Sequence, residues 1–146
     1  MSIFVETLKE KTMNKNEFLA MSIFTGLKYL DDNKKMVDLH CIDNGIGLVN
    51  FGWGDAKNID EVFPILHPLS DLTKEIEHKG EKFVPLEEFG LVANEQNLKH
   101  IISMIRNEFI TIKESVMLIK WHFDFADLIS KGEAIDVNTL PENPYK

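Results

Sequence analysis

Between Thr111 and Gly132 the chain reads T-I-K-E-S-V-M-L-I-K-W-H-F-D-F-A-D-L-I-S-K-G, and its apolar residues recur at helical spacing. Ile112, Val116, Ile119, Phe123 and Ala126 fall on one stripe, with Leu118, Phe125 and Ile129 on a neighbouring one. Thr111 and Glu114 form a capping-box pair at the start, and Lys131-Gly132 supplies a stop. The pattern predicts a helix of about 20 residues, wide enough in its apolar face to contact more than one other element. Lys120, His122, Asp124 and Asp127 interrupt it, so it does not read as a membrane span.

Residues 1–12 carry Ile3, Val5 and Leu8 among charges and fit either a short strand or a loose arm. Asn14 with Glu17 caps a second helix, predicted over Lys15–Leu30. Gly26 sits inside it at a cost of about 1 kcal/mol, either under a close-packed backbone or facing solvent. M-V-D-L-H-C-I-D, N-G and I-G-L-V-N-F-G-W-G then predict a hairpin turning at Asn44-Gly45. In that register Asp43 faces Ile46, Cys41 faces Leu48, Leu39 faces Asn50 and Val37 faces Gly52. One sheet face is aliphatic; the other mixes Asp38 and His40 with Ile42, Phe51 and Trp53, which suits partial cover.

Asn58–Phe63 predicts a short helical turn, and Pro64 and Pro68 forbid a regular helix through I-L-H. Ser70 to Gly80 reads as a helix of about two and a half turns, and Glu81–Phe89 as a short edge strand with Pro85. Asn94 or Asn97 caps a further helix with Leu98, Ile101, Ile102, Ile105 and Phe109 as its stripe. That helix breaks at Ile110-Thr111 and lies antiparallel to the central one or crosses it steeply. A-I-D-V-N-T-L either adds a strand or covers the core. The expected fold is α+β: a small antiparallel β-hairpin-based sheet packed against several helices, with a long central C-terminal helix. One domain over 1–146 is the economical organisation, with a flexible N-terminal arm at 1–12 and a C-terminal tail at 141–146.

Charge and cysteine usage narrow the function classes. A net charge of -8 with one arginine, Arg106, disfavours direct nucleic-acid binding, which draws on clustered Lys and Arg. Asp55 to Glu88 holds nine acidic against four basic residues, fitting a solvated surface, a face for a basic partner or a nucleic-acid mimic. The lone cysteine, Cys41, fits a reducing compartment; with no secretory leader and no long apolar run, the expectation is a cytoplasmic protein without membrane attachment.

P-L-S-D-L-T-K-E-I at 68–76, G-E-K-F-V-P-L at 80–86 and W-H-F-D-F-A-D-L-I-S-K-G-E-A-I-D-V-N-T-L at 121–140 carry a resemblance. These segments resemble small uncharacterised proteins of Bacteroidetes phages and prophages, and the likeness extends from Asn14 onward. It implies a place in a bacterial host cytoplasm and, by association with other phage accessory proteins, an interaction role. It brings no catalytic residues with it.

The chemistry-bearing residues form no recognised signature. His40, His67, His78, His100 and His122 make no H-E-x-x-H, and Cys41 has no cysteine partner, so neither a metal site nor another cofactor is expected. His40 and Cys41 alternate on a strand and point to opposite faces. His122, Asp124 and Asp127 are the best acid and base vocabulary, though a polar edge residue hydrogen-bonding a backbone carbonyl is the favoured account of His122. Gly45, Gly47, Gly52 and Gly54 fit no phosphate-loop spacing.

Candidate ligand or interface residues are therefore His40, Phe51, Trp53, His122 and Asp124, with no catalytic set assigned. The expected role is protein association, homodimeric or with another partner, through the mixed hairpin face. The alternatives are a small-molecule ligand held between sheet and central helix, and a hydrolase site assembled from distant segments.

Overall fold

The computed structural model describes residues 14–22, 25–31, 35–38, 41–43, 48–50 and 56–146. The arm at 1–12, the Asn44-Gly45 turn, His40, Phe51 and Trp53 lie outside the described residues.

The architecture is α+β. Helix α1 (Lys15–Ser22) is followed by strands β1 (Lys28–Leu30), β2 (Met36–Asp38), β3 (Cys41–Asp43), β4 (Leu48–Asn50), β5 (Ala56–Asn58) and β6 (Phe63–Leu66). Then come hairpin strands β7 (Ile76–His78) and β8 (Glu81–Phe83), helices α2 (Pro85–Glu88), α3 (Glu95–Arg106) and α4 (Ile112–Lys120), and strand β9 (Ile135–Asp136). The strands make a four-stranded sheet β2-β1-β6-β9, a three-stranded sheet β3-β4-β5 and the pair β7-β8. Antiparallel pairing dominates; β9 alone of the described strands runs parallel to its neighbour, Ile65 opposite Ile135.

α1 ends at Ser22, well short of Leu30. Gly26 at φ 77° reverses the chain, and the Thr25 hydroxyl donates to the Ser22 carbonyl at 2.7 Å. Lys28-Tyr29-Leu30 is thereby released to become a strand, and it gives Met36–Asp38 a partner other than the expected hairpin mate. The predicted long strand is split: β2 joins β1 in one sheet, while β3 joins β4 in another. Between β3 and β4 the pairs are Asp43 with Leu48 and Cys41 with Asn50, two residues away from the predicted register. A shift of two preserves which residues share a face.

Pro64 lies within β6 rather than in a connector. Its register partner is Tyr29, and the pairing with β9 begins only at Ile65, so the missing N–H falls where β6 has a neighbour on one side. The predicted turn after Asn58 is present as a 3-10 turn at Ile59–Glu61.

The helix predicted over Ser70–Gly80 is replaced by a 3-10 turn at Leu69–Thr73 and the β7–β8 hairpin. Ile76 and His78 are buried on alternate positions, and Lys79 and Gly80 both adopt positive φ, at 51° and 84°. That combination is the two-residue type I′ reversal. Beyond β8, Pro85 opens the short helix α2 at its first turn instead of lying in an edge strand.

The largest departure concerns the central rod. Its start is as predicted, since the Glu114 N–H donates to Thr111 Oγ1 at 3.2 Å, but α4 stops at Lys120. The His122 N–H donates to the Ile119 carbonyl and the Phe123 N–H to the Leu118 carbonyl, with His122 at φ 62°. These are the two bonds of a Schellman closure, and Phe123 packs in the same core as Leu118. Asp124 then caps the next turn, its two oxygens accepting from Leu128 N–H at 2.7 Å and Ile129 N–H at 2.9 Å. Gly132, at φ 73°, closes that turn as the Glu133 N–H donates to the Leu128 carbonyl. The stop signal at Gly132 is used, but by a separate turn.

Two apolar cores result. One gathers Phe18, Leu19, Tyr29, Ile65, Leu66, Ile119, Leu128 and Val137; the other gathers Leu72, Leu86, Leu98, Ile101, Leu118 and Phe123. Adjacent residues Leu118 and Ile119 thus place α4 between the cores, as an element facing more than one neighbour. The C-terminal tail is tied down: Tyr145 is buried, and its hydroxyl donates to the Ile65 carbonyl at 2.6 Å and accepts from the Lys28 N–H at 2.9 Å.

Candidate functional site

Early termination of α4 turns His122 inward. Its Nε2 lies 2.9 Å from the Thr25 carbonyl, which accepts only, so Nε2 carries the proton and Nδ1 is the basic nitrogen. Nδ1 has no hydrogen-bond partner among the described residues. Burial pushes the imidazole down to about 3, with His78 and His67 opposing its charge further, against a raising effect of the Thr25 bond.

His78, from β7, and Tyr145 pack on this ring, their centroids 5.1 and 4.2 Å from that of His122. Neither ring nitrogen of His78 has a hydrogen-bond partner among the described residues, and burial, with Lys79 next, lowers its pKa to about 4. His67, directly after β6, lies 6.3 Å from Tyr145 and 5.2 Å from Phe123, ring centroid to ring centroid. Backbone bonds fix it there: its N–H donates to the His122 carbonyl and its carbonyl accepts from the Asp124 N–H. Three histidines from separate segments therefore have their rings within 6.3 Å of one buried tyrosine.

His67 Nδ1 stands 3.5 Å from Asp71 Oδ2, which also accepts from Asn138 Nδ2 at 2.8 Å. Burial raises the Asp71 carboxyl, and the nearby His67, the bond from Asn138 and the charge of Lys74 more than reverse this, holding it below the ordinary 3.8. A cavity of about 190 Å³ opens beside the pair, walled by Ile76, Val137, Asn138 and Asn143. A second cleft of about 350 Å³ lies over Phe83, Glu88 and Trp121. Among the described residues no set of three His, Cys, Asp or Glu side chains converges to hold a metal ion.

Of the residues singled out from sequence, the structure brings His122 into this cluster. Asp124, three-dimensionally close through the backbone of His67, is committed to capping Leu128 and Ile129; burial raises its carboxyl in spite of those bonds. His40, Phe51 and Trp53, the hairpin part of the predicted site, lie outside the described residues. Sequence reasoning misses His67, His78, Asp71 and Tyr145 as partners of His122. The i,i+4 spacing of His67 and Asp71 is the available signal, and the predicted Ser70–Gly80 helix conceals the strand that carries His78.

A separate surface feature stands at the α3–α4 corner. Phe109, Ile112 and Val116 are 77%, 83% and 54% exposed. The Schellman closure of α3, with Glu108 at φ 59° and the Phe109 N–H donating to the Met104 carbonyl, carries Phe109 off the buried stripe predicted for it. Ile112 and Val116, one turn apart, share an outward side of α4, opposite to the inward stripe predicted for them.

Among the described residues no helix is long and apolar enough to cross a membrane. No family model, no curated protein and no solved structure matches the chain.

Proposed function

We propose that this is a phage or prophage accessory protein that works in the host cytoplasm by association with protein, self-association included, through the α3–α4 corner. One observation carries the reading: Phe109, Ile112 and Val116 are exposed together within a single corner of the fold. Taking roughly 150–200 Å² for a fully exposed side chain of this size, they present on the order of 350 Å² of apolar surface. That is the scale of the largest apolar patch on an ordinary monomer, a patch that is often functional. Exposed Arg106, Asn107, Glu108, Thr111 and Lys113 provide a polar surround, the composition of an interface centre with its rim. The resemblance of the 68–86 and 121–140 segments to phage and prophage proteins supports the setting. The hairpin-face residues His40, Phe51 and Trp53 lie outside the described residues, and the contact is proposed at the corner, which the structure describes.

The test is sedimentation velocity of the purified chain from about 1 to 500 µM, a span chosen to catch weak dimers, beside an Ile112→Asp/Val116→Glu variant. An acid at the first turn suits the helix dipole, and Val116→Glu puts a carboxylate four residues before Lys120, so the variant leaves α4 intact. Concentration-dependent growth of the wild-type sedimentation coefficient, absent in the variant, is expected. A wild type that stays monomeric, together with equal recovery of host proteins by wild type and variant in a pull-down, would sink the reading.

A further inference from the structure

We propose that residues 143–146 form a strap released by acid: protonation of His78 and His122 uncouples this segment from the sheet while the two cores stay folded. The segment lies outside every helix and strand and is tied to β1, β6, β7 and the β7–β8 turn. The Tyr145 hydroxyl donates to the Ile65 carbonyl and accepts from the Lys28 N–H. The Tyr145 carbonyl accepts from the Lys79 N–H at 2.6 Å, and Asn143 Nδ2 donates to the Glu77 carbonyl at 2.9 Å. Glu77 and Asn143 both line the open cavity of about 190 Å³, so water reaches the edge of the strap. A short segment held by such side-chain and single backbone bonds is the kind of unit that opens without global unfolding.

The rings of His78 and His122 pack on the ring of Tyr145, with centroids 6.0 and 4.2 Å away, and lie 5.1 Å from each other. Both histidines are buried, and His78 Nδ1, His78 Nε2 and His122 Nδ1 have no hydrogen-bond partner among the described residues. Protonation turns each of these nitrogens into a donor on a charged ring, and a buried charge without an acceptor is strongly disfavoured. The surroundings do not offset it. Lys79 in the turn and His67 after β6 oppose a positive charge on either ring, Lys120 of α4 opposes one on His78, and His78 opposes one on His122. The Thr25 carbonyl is taken by His122 Nε2. The carboxylates of this region are engaged elsewhere: Asp71 stands against His67 and Asn138, and Asp124 accepts from the Leu128 and Ile129 N–H groups. His78 is fixed by the β7–β8 ladder and His122 by backbone bonds to Ile119 and His67. Lifting Tyr145 is therefore the least disruptive way to admit water to a charged ring.

Under the closed strap His78 and His122 titrate at about 4 and about 3, against about 6.5 for a histidine in water, so the open form takes up protons first. Closure is full above about pH 6.5 and weakens as pH falls toward 4. Between about pH 7.5 and 5.0 each histidine uncovered raises the open population about 30-fold, and both together raise it about 1,000-fold. Amide hydrogen exchange on the full chain, corrected for intrinsic rates, reads this at Lys28 and Lys79, whose N–H groups bond to Tyr145, against Leu118 within α4. Protection at Lys28 and Lys79 is expected to lie below that at Leu118 and to fall about 1,000-fold over this pH range. His78→Leu should cut the fall to about 30-fold. His122→Asn, a residue that tolerates φ 62°, should do the same and serves if His78→Leu does not fold. Protection at Lys28 and Lys79 that is independent of pH, or that equals Leu118 at every pH, overturns the strap, as does a fall that these variants leave unchanged.

Discussion

Replacing Tyr145 by Phe removes one oxygen and nothing else, and that oxygen joins three parts of the chain. It donates to the Ile65 carbonyl on β6 at 2.6 Å and accepts from the Lys28 N–H on β1 at 2.9 Å, while its ring lies against His122. Phe fills the same ring volume, so no cavity term enters. The Ile65 carbonyl belongs to a fully buried residue and would lose this partner at about 1–3 kcal/mol; the Lys28 N–H, on a half-buried residue, costs about 1 kcal/mol because water can reach it. The expected loss is therefore about 2–4 kcal/mol, equivalent to a fall in Tm of roughly 6–14 °C for a chain of this size. Urea unfolding followed by tryptophan fluorescence gives the free energy, and amide exchange at Lys28 gives the local effect. Exchange at Lys28 should accelerate beyond what the global loss explains. A Tyr145→Phe variant within about 0.5 kcal/mol of wild type would show that the C-terminal segment does not bind the sheet through this hydroxyl.

The buried histidines fix a pH dependence. His78 and His122 titrate in the fold at about 4 and about 3, below the 6.5 of an exposed histidine, so the unfolded chain takes up protons first. Stability is full above about pH 6.5 and is lost as pH falls toward 4, at about 2.5 kcal/mol per pH unit near pH 5 from two protons. Asp124, raised chiefly by burial, works with the opposite sign through part of that window, and lowered Asp71 adds to the loss only below its ordinary 3.8. Urea midpoints against pH check this, and His78→Leu should reduce the slope by about half; an unchanged slope contradicts the assignment. Gly80→Ala should cost about 1–2 kcal/mol by chemical denaturation, all of it backbone strain, since an added Cβ would meet nothing within 4 Å. Lys79→Asn should gain about 0.5–1 kcal/mol, because Asn tolerates φ 51° better; a loss there would contradict the type I′ turn. Asn94→Ala should cost about 1 kcal/mol, for its side chain accepts from the Asn97 N–H at 2.8 Å at the start of α3.

Local grammar is the legible part of this sequence. Thr111 caps the helix it is expected to cap, Asn94 is the one of the two candidates, Asn94 and Asn97, that caps α3, and Leu98, Ile101 and Ile105 face the core as their spacing requires. Chain stops are harder to read, because they occur at residues with no sequence signature. His122 and Glu108 occupy left-handed positions where glycine is the usual signal, and periodicity in 121–129 continues across a break it cannot register. Lys79-Gly80 makes a two-residue turn that capping and apolar spacing in 70–80 mask, since Leu72 and Ile76 suit a helix face and a strand end equally. The His67, His78, His122 and Tyr145 cluster depends on both misread segments and on the tail. Its members reach one another only once the chain reverses after Lys120 and returns through Asn143, whose Nδ2 donates to the Glu77 carbonyl. The exposed corner is hidden for a related reason: an apolar residue at helical spacing is ordinarily core, and Ile112 and Val116 are not.

The His122 cluster depends on α4 ending at Lys120 with the chain folding back over it, and NOE spectroscopy tests this directly. The fold predicts strong contacts between the rings of Tyr145 and His122, whose centroids are 4.2 Å apart, and helical i,i+3 contacts that stop at Trp121. An unbroken helical series from Ile112 to Lys131, with no contact between Tyr145 and His122, would contradict it.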